Sequence, residues 1–509
     1  MKLRKSFIVL ITVFALVAIS VSVSGAQGAL TGNSWWTGHT IVNVGTDSAT
    51  VQVTAYDSAS SNTYTYTPPV LAVGASDTWL PDAFSPALPS SFSGSAVVSS
   101  DQLLKGIVNV TNRPIGSFGT TGGEAAGQYR GVDAPAETAA FPLVKLEFPA
   151  GNVARKSTTL FIQNAGNTAT TVDVDFTGTG CTPCSYTTPS IGAGQMVAVS
   201  ASNAGAAAGF IGAATATSNT SGVNIAAVFM ETPVLENPVK QAQAANAFTP
   251  ADYDDTILIP VYKDVFGNRS TGLQVQNVGT GNVDLTVTYT GDANLGTCTN
   301  QTITDSSVTD LTPGSSVTFL GGVLFGSSNT DNMPEGCFAS ARVVATASSG
   351  STGTSQIAGV INESFFPSVP AGGTQQSTTY SAFAAGNATG KVNLPVAKDA
   401  FGNKVTGVTC QNTGSAAATN VVFSYAVSSG GSGTYATSAQ TIAAGASMTL
   451  VNPSGNSIWS GTALPSGTLS SVTVTADQNI VCIANEAVNF GVTSISQDKN
   501  NYEGFNLTP

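Results

Sequence analysis

Apolar residues alternate with polar ones in short segments along most of the chain, and turns rich in Gly, Asn and Pro separate these segments. Clear examples are VDLTVTYTG, LTPGSSVTFL and FASARVVATA, which follow one another between residues 283 and 347. A period of two is typical of strands that bury one face. Beyond the first 26 residues we find no segment with the 3.6-residue period of an amphipathic helix. The pattern predicts an all-β protein.

Two sequence patterns recur four times in the same order. A strand ending in Asn-x-Gly occurs as IVNVG, FIQNAG, QVQNVG and TCQNTG, and a closing segment follows as DQLLKGIVN, NIAAVFM, QIAGVIN and DQNIVCIAN. Such repetition indicates one module copied in tandem. Short strands between turn signals favour a β-sandwich. We therefore expect four tandem immunoglobulin-like β-sandwich modules of seven strands each.

The repeats also set the module boundaries. We assign residues 27–112, 139–234, 255–366 and 390–488 to the four modules, 113–138, 235–254 and 367–389 to connectors, and 489–509 to a connector-like tail. The connectors share the motifs QYRGV, AANAF, TYSAF and NYEGF, and the first three precede a Pro-containing lead strand. The first module has no clear lead strand. Either residues 27–36 form a shortened one, or strand addition between subunits fills the gap in a polymer.

The N-terminus predicts export. Lys2, Arg4 and Lys5 precede an apolar run, Phe7–Val23, and a small-residue cleavage site ends at Ala26. This is the layout of a secretory signal peptide, residues 1–26. An uncleaved membrane anchor is the alternative, because the run approaches the length of a membrane span. With cleavage, we expect an extracellular cell-surface protein whose mature chain has no membrane span.

Charge is scarce in this sequence. Only 9% of the residues are Asp, Glu, Lys or Arg, and the formal net charge is −12. A nucleic-acid-binding protein needs a broad basic face, so this class is excluded. The low charge content also argues against disorder. We expect a folded protein with a polar, weakly acidic surface.

Six Cys residues in an exported chain predict three disulfide bonds. Cys181 and Cys184 form a CxxC pair, but the sequence has no second CxxC and one His, so a small loop disulfide is favoured over zinc. Cys298 and Cys337 are expected to close a loop in the third module.

The repeat alignment predicts the last pair, Cys410 and Cys482. In the other three modules these two positions hold a branched apolar residue and a Gly or Ala. A bulky residue over a small one fills the same space as two half-cystines. We therefore expect the two strands to face each other across the core, with the disulfide bridging the sheets.

The motifs LPV-x-KD-x-FGN, TG-x-x-x-QN-x-G, GSAVVSSDQ and the Tyr-x-Gly/Ala-Phe connectors together resemble repeat regions of large bacterial surface proteins, of the kind found in filamentous Chloroflexi. At fold level the chain is also similar to bacterial cell-adhesion-related immunoglobulin-like modules. The resemblance covers the mature chain. It implies a secreted or cell-surface location and a role in adhesion, a sheath, a filament or an S-layer. It carries over no catalytic residue.

Candidate catalytic residues are few. His39 is the sole His, so a Ser-His-Asp triad or a Cys-His pair depends on it. A polar position at the edge of a strand is the simpler interpretation of this residue. We predict no catalytic site and no enzymatic activity.

Two kinds of ligand site are candidates. Calcium is the first, because acidic multi-module β proteins coordinate it through Asp and Asn oxygens, although simple turns explain the same residues. Sugar stacking on Trp rings is the second, with packing at module joints as the alternative. The calcium candidates are Asp252, Asp254, Asp255, Asp264, Asn268, Asp399 and Asn403, and the glycan candidates are Trp35, Trp36, Trp79 and Trp459.

These observations favour a non-enzymatic extracellular structural protein, a rod of four β-sandwiches that contributes to a cell-surface layer, sheath or filament. Its expected partners are further copies of itself or other cell-surface components. The alternative is an adhesin or glycan-binding surface protein. No cofactor other than calcium is expected.

Overall fold

The computed structural model describes residues 10–14, 30, 35–90, 92–112, 125–151, 155–235, 241–267, 269–321, 332–365, 376–451, 458–488 and 500–507. Within these ranges the regular structure consists of antiparallel strands and four short 3-10 turns. The predicted all-β class is confirmed. The strands form four repeated units, which we number in chain order.

The first two units each contain eight strands. The first has β1 (Leu10–Phe14), β2 (Trp36–Asn43), β3 (Val51–Asp57), β4 (Thr63–Tyr66), β5 (Ser76–Trp79), β6 (Gly94–Ser100), β7 (Leu104–Thr111) and β8 (Ala126–Arg130), with a 3-10 turn at Pro81–Ala83. The second has β9 (Thr138–Leu146), β10 (Lys156–Asn164), β11 (Val172–Gly178), β12 (Cys181–Thr187), β13 (Met196–Val199), β14 (Phe210–Ser218), β15 (Ile225–Pro233) and β16 (Gln243–Asn246), with turns at Ala201–Ala204 and Pro250–Asp252.

The last two units elaborate this pattern. The third has β17 (Thr256–Asp264), β18 (Arg269–Asn277), β19 (Val283–Gly296), β20 (Thr302–Leu311), β21 (Ser316–Leu320), β22 (Cys337–Ala347), β23 (Ile357–Phe365), β24 (Gln376–Ser381) and β25 (Phe383–Ala384), with a turn at Ala385–Asn387. The fourth has β26 (Thr389–Asp399), β27 (Lys404–Asn412), β28 (Ala418–Ser429), β29 (Gly433–Ala436), β30 (Gln440–Ile442), β31 (Ser447–Leu450), β32 (Thr468–Val488), β33 (Asn500–Glu503) and β34 (Phe505–Asn506).

The strand order differs from that of an immunoglobulin domain. In the second unit an outer sheet has the order β12-β11-β14-β9, and an inner sheet has the order β13-β10-β15-β16. The first and third units repeat this arrangement, and in the fourth unit the long β32 runs through both sheets. An immunoglobulin sandwich pairs its first strand with its second, whereas β9 pairs with β14. The expected seven-strand immunoglobulin order is therefore replaced by a different order, with eight strands in each of the first two units and nine in each of the last two.

The described parts of the segments that we assigned as connectors belong to the sandwiches. Each of these segments contributes one strand to the inner sheet of its own unit. The pairs are β8 with β7, β16 with β15, β24 with β23, and β33 with β32. The chain then crosses to the lead strand of the same unit. Phe248 exchanges backbone hydrogen bonds with Ala140, and β25 and β34 pair with β17 and β26. We call β8, β16, β24 and β33 the connector strands.

The repeated Asn holds two turns together in every unit. In the second unit the buried Asn164 donates from Nδ2 to the carbonyls of Thr168 (2.7 Å) and Ile191 (2.9 Å), and its Oδ1 accepts from the backbone N–H of Gly166 (2.8 Å). These three bonds satisfy the buried amide on both sides. The other copies make the same three bonds through Asn43, Asn277 and Asn412.

The inner sheets are buried on both faces. Along β15, Ala227 and Phe229 face the core of the second unit, whereas Ala226, Val228 and Met230 belong to the core cluster of the first. Every residue of β15 is buried. The outer sheets instead bury one face, as in β3, where every second residue is buried. Two-sided burial requires an apolar run rather than alternation.

The units pack in a closed cycle. Val228 of the second unit, Val360 of the third and Ile483 of the fourth each lie in the core cluster of the preceding unit. Ile107 of the first unit lies in that of the fourth, so the last unit contacts the first. The predicted rod is therefore wrong. The first and last units of a rod would not touch, whereas here Ile107 of the first unit packs in the core of the fourth.

Candidate functional site

The connector strands meet at the centre of the cycle. β8 contacts β16, β16 contacts β24, β24 contacts β33, and β33 contacts β8. The approach is close, because a Cβ added at Gly127 in β8 would lie 2.9 Å from the Cβ of Ala244 and 3.2 Å from its backbone nitrogen. A glycine is therefore needed at this contact. We call this arrangement the central junction.

One repeat position supplies the polar contacts of the central junction. It holds Arg130, Asn246, Ser381 and Glu503 in the four units. The N–H of Arg130 donates to Asn246 Oδ1 (2.9 Å), and Asn246 Nδ2 donates to the carbonyl of Arg130 (2.8 Å). The N–H of Ser381 donates to Glu503 Oε1. The Nε of Arg130 lies 3.3 Å from Glu503 Oε2, which joins the fourth unit to the first.

An aromatic residue reinforces the joint between the last and first units. Phe505 is buried, and its ring lies below two cations of the first unit. Lys105 Nζ is 5.2 Å and Arg130 Cζ is 5.4 Å from the ring centroid. Cations at this distance from an aromatic face are attracted to it. Lys105 also pairs with Asp133.

Three units contain a buried cluster of one Glu and two cations. In the second unit, Lys145 of the lead strand lies 2.8 Å from Glu231 and Lys156 lies 3.4 Å from it. Lys156 also donates to Gln243 Oε1 (2.9 Å) and Ser377 Oγ (3.0 Å), which belong to two connector strands. We call these clusters the ion triads. They tie the lead strand to the inner sheet and, in the second unit, to the central junction.

The other two ion triads occupy equivalent positions. They are Lys263, Glu363 and Arg269 in the third unit, and Lys398, Glu486 and Lys404 in the fourth. Burial by itself would raise the pKa of Glu486, but Lys398 and Lys404 outweigh this effect and hold its pKa well below the usual value. The pKa of Glu231 is lowered by the same balance. Glu231 and Glu486 are therefore charged at neutral pH in the folded protein.

The structure forms all three predicted disulfide pairs, Cys181–Cys184, Cys298–Cys337 and Cys410–Cys482. The expected geometry of the third pair is wrong. Cys410 and Cys482 are register partners on the neighbouring strands β27 and β32 of the inner sheet, with a Cα–Cα distance of 4.1 Å. The equivalent residues of the other units are also register partners on adjacent strands, so the bulky-small pattern reflects a lateral contact within the sheet.

The acidic residues of the second connector make local hydrogen bonds. Asp252 accepts from the N–H (3.0 Å) and Oγ1 (3.1 Å) of Thr249 and caps a 3-10 turn. Asp254 accepts from the N–H of Gly386 (2.7 Å), and Asp255 accepts from Thr256 Oγ1 (2.9 Å). Asp254 thus contacts the turn after β25, and Asn387 Nδ2 of that turn donates to the carbonyl of Ala251 in the turn Pro250–Asp252 (2.9 Å).

The remaining calcium candidates lie at strand ends. Asp264 and Asp399 are buried at the ends of the lead strands β17 and β26. Asn403 adopts a left-handed backbone conformation in the following turn, and Asn268 lies outside the described residues. Within the described ranges, no group of three or more Asp, Glu, His or Cys side chains is arranged to hold a metal ion. Calcium binding stays a prediction from the sequence.

The Trp candidates for sugar binding are mainly packing residues. Trp35 and Trp79 are buried in the core of the first unit, so neither ring offers a face to a sugar. Trp459 is half-buried and packs edge-on against Tyr425 at 5.6 Å. Trp36 is half-buried at the start of β2. Packing within a unit therefore accounts for Trp35, Trp79 and Trp459.

His39 lies inside the first unit and not at an exposed strand edge. It is buried, stacks on Trp79 at 5.2 Å, and its Nε2 lies 2.9 Å from Thr37 Oγ1. Burial lowers its pKa from 6.5 to about 3. Its imidazole is therefore neutral at physiological pH and is shielded from solvent.

The sequence analysis missed the central junction and the ion triads, although both leave a signal. The central position holds Arg130 in the first copy and Glu503 in the last, which is a complementary pair. The triads appear as a recurrent Lys in the lead strand and a Glu four residues after the small residue of the closing strand. Aligning the charged positions of the copies would have shown both.

Comparisons with known proteins identify no family. No protein-family profile matches the sequence, and no curated protein is similar to it. A solved structure titled "Crystal Structure of Thermotoga maritima 1070" aligns with 22% of this chain and 94% of that one, at 14% identity and a TM-score of 0.19. A TM-score this low carries no argument. In the described part of the chain, no helix has the length and apolarity to cross a membrane.

Proposed function

We propose that this protein is a non-enzymatic structural component of the cell surface, a closed four-unit block that contributes to a surface layer, sheath or filament. The observation that carries the proposal is the ion pair between Arg130 and Glu503, which closes the cycle. Each unit then has two neighbours and a buried inner sheet, so no joint is a free hinge. A block of this kind transmits force without bending at its joints.

The outer sheets suit repeated lateral contacts. Their exposed residues are mainly uncharged and polar, as in β20, where Thr302, Thr304, Ser306 and Ser307 are exposed. The cycle presents four such sheets, so one molecule offers several similar faces. Several weak contacts of the same kind raise the strength of an assembly far above that of one contact. We propose that the protein associates with further copies of itself through these faces.

Export is part of the same proposal. Three disulfide bonds join all six Cys residues, so no free cysteine is present. Disulfides persist in oxidising compartments and are rare in the cytosol. The N-terminal signal pattern supports the same location. We propose a secreted protein that is held at the cell surface by non-covalent contacts.

Electron microscopy of the purified exported protein tests the structural role. We expect sheets or filaments with a repeat matching one four-unit block, formed at rising protein concentration. An Arg130→Glu variant, in which the cycle is opened, is expected to lose the ordered repeat. A wild-type protein that stays monomeric at every concentration, with and without calcium, would contradict the proposal.

Glycan binding is the second candidate function, and the clefts between units favour it. One cleft of about 340 Å³ is lined by Thr177 and Thr179 of the second unit and Gln274, Ser316 and Thr318 of the third. The joint between the first and second units has a similar cleft of about 280 Å³. Polar side chains of this kind can hydrogen-bond sugar hydroxyls. Saturable glycan binding that Gln274→Ala abolishes would establish this function instead.

A further inference from the structure

Each ion triad lies beside one further side chain, which comes from the connector strand of the same unit. This side chain is the register partner of the buried Glu. The pairs are Glu231 with Gln243, Glu363 with Thr378, and Glu486 with Asn500. Two of the three partners are therefore amides, and the third is a hydroxyl.

The cation that β10, β18 or β27 contributes to the triad changes together with this side chain. A Lys accompanies each amide, and an Arg accompanies the hydroxyl. The sets are Lys156 with Gln243, Lys404 with Asn500, and Arg269 with Thr378. A lysine amine can give up its proton and attack the carbonyl carbon of an amide, whereas the guanidinium of Arg stays protonated. The pairs of the second and fourth units thus have the chemistry to react, and the pair of the third unit does not.

In the fourth unit, one carboxylate oxygen holds both members of the pair. Lys404 Nζ lies 2.8 Å from Glu486 Oε1, and Asn500 Nδ2 lies 3.5 Å from the same oxygen. All three residues are buried. The attacking nitrogen and the nitrogen that would leave therefore share one group that can carry a proton between them.

The second unit brings the same groups together in a different arrangement. Lys156 Nζ donates to Gln243 Oε1 (2.9 Å), but Gln243 Nε2 donates to the backbone carbonyl of Thr378 (3.1 Å). Lys156 Nζ also donates to Ser377 Oγ (3.0 Å). A carbonyl cannot supply a proton, so this amide nitrogen is not held where it could leave as ammonia.

We propose that Lys404 and Asn500 form an intramolecular amide cross-link, with Glu486 as the proton carrier. Lys404 gives a proton to Glu486, and its neutral Nζ attacks Cγ of Asn500. The Cγ–Nδ2 bond then breaks as the Nζ–Cγ amide is completed. Nζ keeps one of its three protons, and the other two pass through Glu486 to Nδ2, which leaves as ammonium.

A second lysine keeps the carboxylate paired after this reaction. Lys398 Nζ lies 2.6 Å from Glu486 Oε2, so a counter-ion remains when Lys404 loses its charge. The new bond would join β27 to β33 across β32. Because β33 also carries Glu503, the cross-link would fix the strand that closes the cycle. The inference concerns one chain and does not depend on the proposed assembly.

Peptide mass mapping of the full-length chain tests the cross-link. We expect a branched peptide that joins the segments containing Lys404 and Asn500 in most molecules. The intact mass should be lower by one ammonia than the sequence with its three disulfides requires. Lys404→Arg keeps a cation but removes the nucleophile, so the branched peptide and this ammonia loss should both disappear. Lys156→Arg is the matched control and should leave both unchanged.

A second variant separates folding from cross-linking. Lys404→Arg with Asn500→Thr reproduces the pair of the third unit, so it should keep the native elution volume and lack the branched peptide. A wild-type chain without the branched peptide overturns the proposal. An ammonia loss that persists in Lys404→Arg also overturns it, because that loss must arise elsewhere in the chain. A branched peptide that joins Lys156 to Gln243 instead would overturn the assignment to the fourth unit.

Discussion

Arg130 in the first connector strand forms an ion pair with Glu503 in the last, although 373 positions separate them in the sequence numbering, and their nearest side-chain atoms are 3.3 Å apart. The two residues occupy the same repeat position. Glu503 is buried, and its second oxygen accepts the N–H of Ser381 in the third unit. One carboxylate therefore joins three units. At the same joint, Ile107 of the first unit packs in the core of the fourth.

Reversing the charge of Arg130 is expected to open the cycle. In an Arg130→Glu variant, two carboxylates would meet at the central junction, and the cation above Phe505 would be lost. We expect a loss of about 2 kcal/mol in the free energy of unfolding, less than for breaking a fully buried ion pair, because the Arg130 side chain is 24% exposed. Small-angle scattering should show a larger radius of gyration. Urea titration measures the stability loss.

The control for this prediction is the charge swap Arg130→Glu with Glu503→Arg. The swap restores opposite charges, so it should recover part of the stability, and the coupling energy of the double-mutant cycle measures the pair itself. An Arg130→Glu protein with unchanged stability and unchanged radius would show that the pair does not hold the cycle closed.

The closure of the cycle could not be derived from the strand pattern. Alternation identifies half-buried strands, and it correctly predicted an all-β chain, but it does not say which unit covers an exposed face. The closing segments NIAAVFM and QIAGVIN do carry a signal, because they are apolar without alternation. A strand of this type is buried on both faces. For Val228 and Val360 the second face is a neighbouring unit, and only the structure identifies which one.

The pairing of Cys410 with Cys482 was predictable, and its placement was not. A bulky residue opposite a small one fits both neighbours in a sheet and partners across a core. The inferred partner was right because the alignment compares equivalent positions. Whether the two residues meet within one sheet or between two sheets depends on the strand order. The immunoglobulin order that we assumed does not apply to this chain. Residue type likewise does not give burial, because Trp79, a candidate for sugar stacking, lies buried in the core of the first unit.

Replacing the disulfide with the pair found in the second unit should leave the fold intact. Ile162 opposite Ala227 occupies the position of Cys410 opposite Cys482. We expect Cys410→Ile with Cys482→Ala to lose up to about 4 kcal/mol, the chain-entropy value for a loop of this length. Packing of the new pair should offset part of this loss. Cys410→Ser with Cys482→Ser is the control, and urea titration should show it to be less stable than the apolar pair.

Removing the charge of Glu486 should destabilise the fourth unit. Glu486→Gln would remove the buried carboxylate that pairs with both Lys398 and Lys404. We expect a loss of about 3 kcal/mol, as is typical when one partner of a buried ion pair is removed. The exposed Glu335 provides the matched control, and Glu335→Gln should change stability by less than about 0.5 kcal/mol. Equal stabilities of the two variants would contradict the role assigned to the ion triad.

The lowered pKa of Glu486 predicts a loss of stability in acid. The pKa of Glu486 is lower in the folded protein than its usual value of 4.5. The stabilisation that ionised Glu486 gives to the folded state is therefore complete above pH 4.5. It is lost as the pH falls through the folded-state pKa. The difference in stability between wild type and Glu486→Gln should shrink over this range. A difference that is constant from pH 7 to pH 3 would argue against a charged Glu486 in the folded state.

His39 should make the first unit sensitive to mild acid, at a higher pH than the ion triads. Its pKa is about 3 in the folded protein and 6.5 in the unfolded chain, so between these values only the unfolded chain binds the proton. Stability therefore falls as the pH drops below 6.5, by about 2 kcal/mol at pH 5. The equivalent positions hold Leu160 and Leu273, which makes His39→Leu the matched variant. Urea titrations at pH 7.5 and pH 5 measure the effect. On going from pH 7.5 to pH 5, wild type should lose about 2 kcal/mol of stability relative to His39→Leu. An identical difference at both pH values would show that His39 is protonated without unfolding.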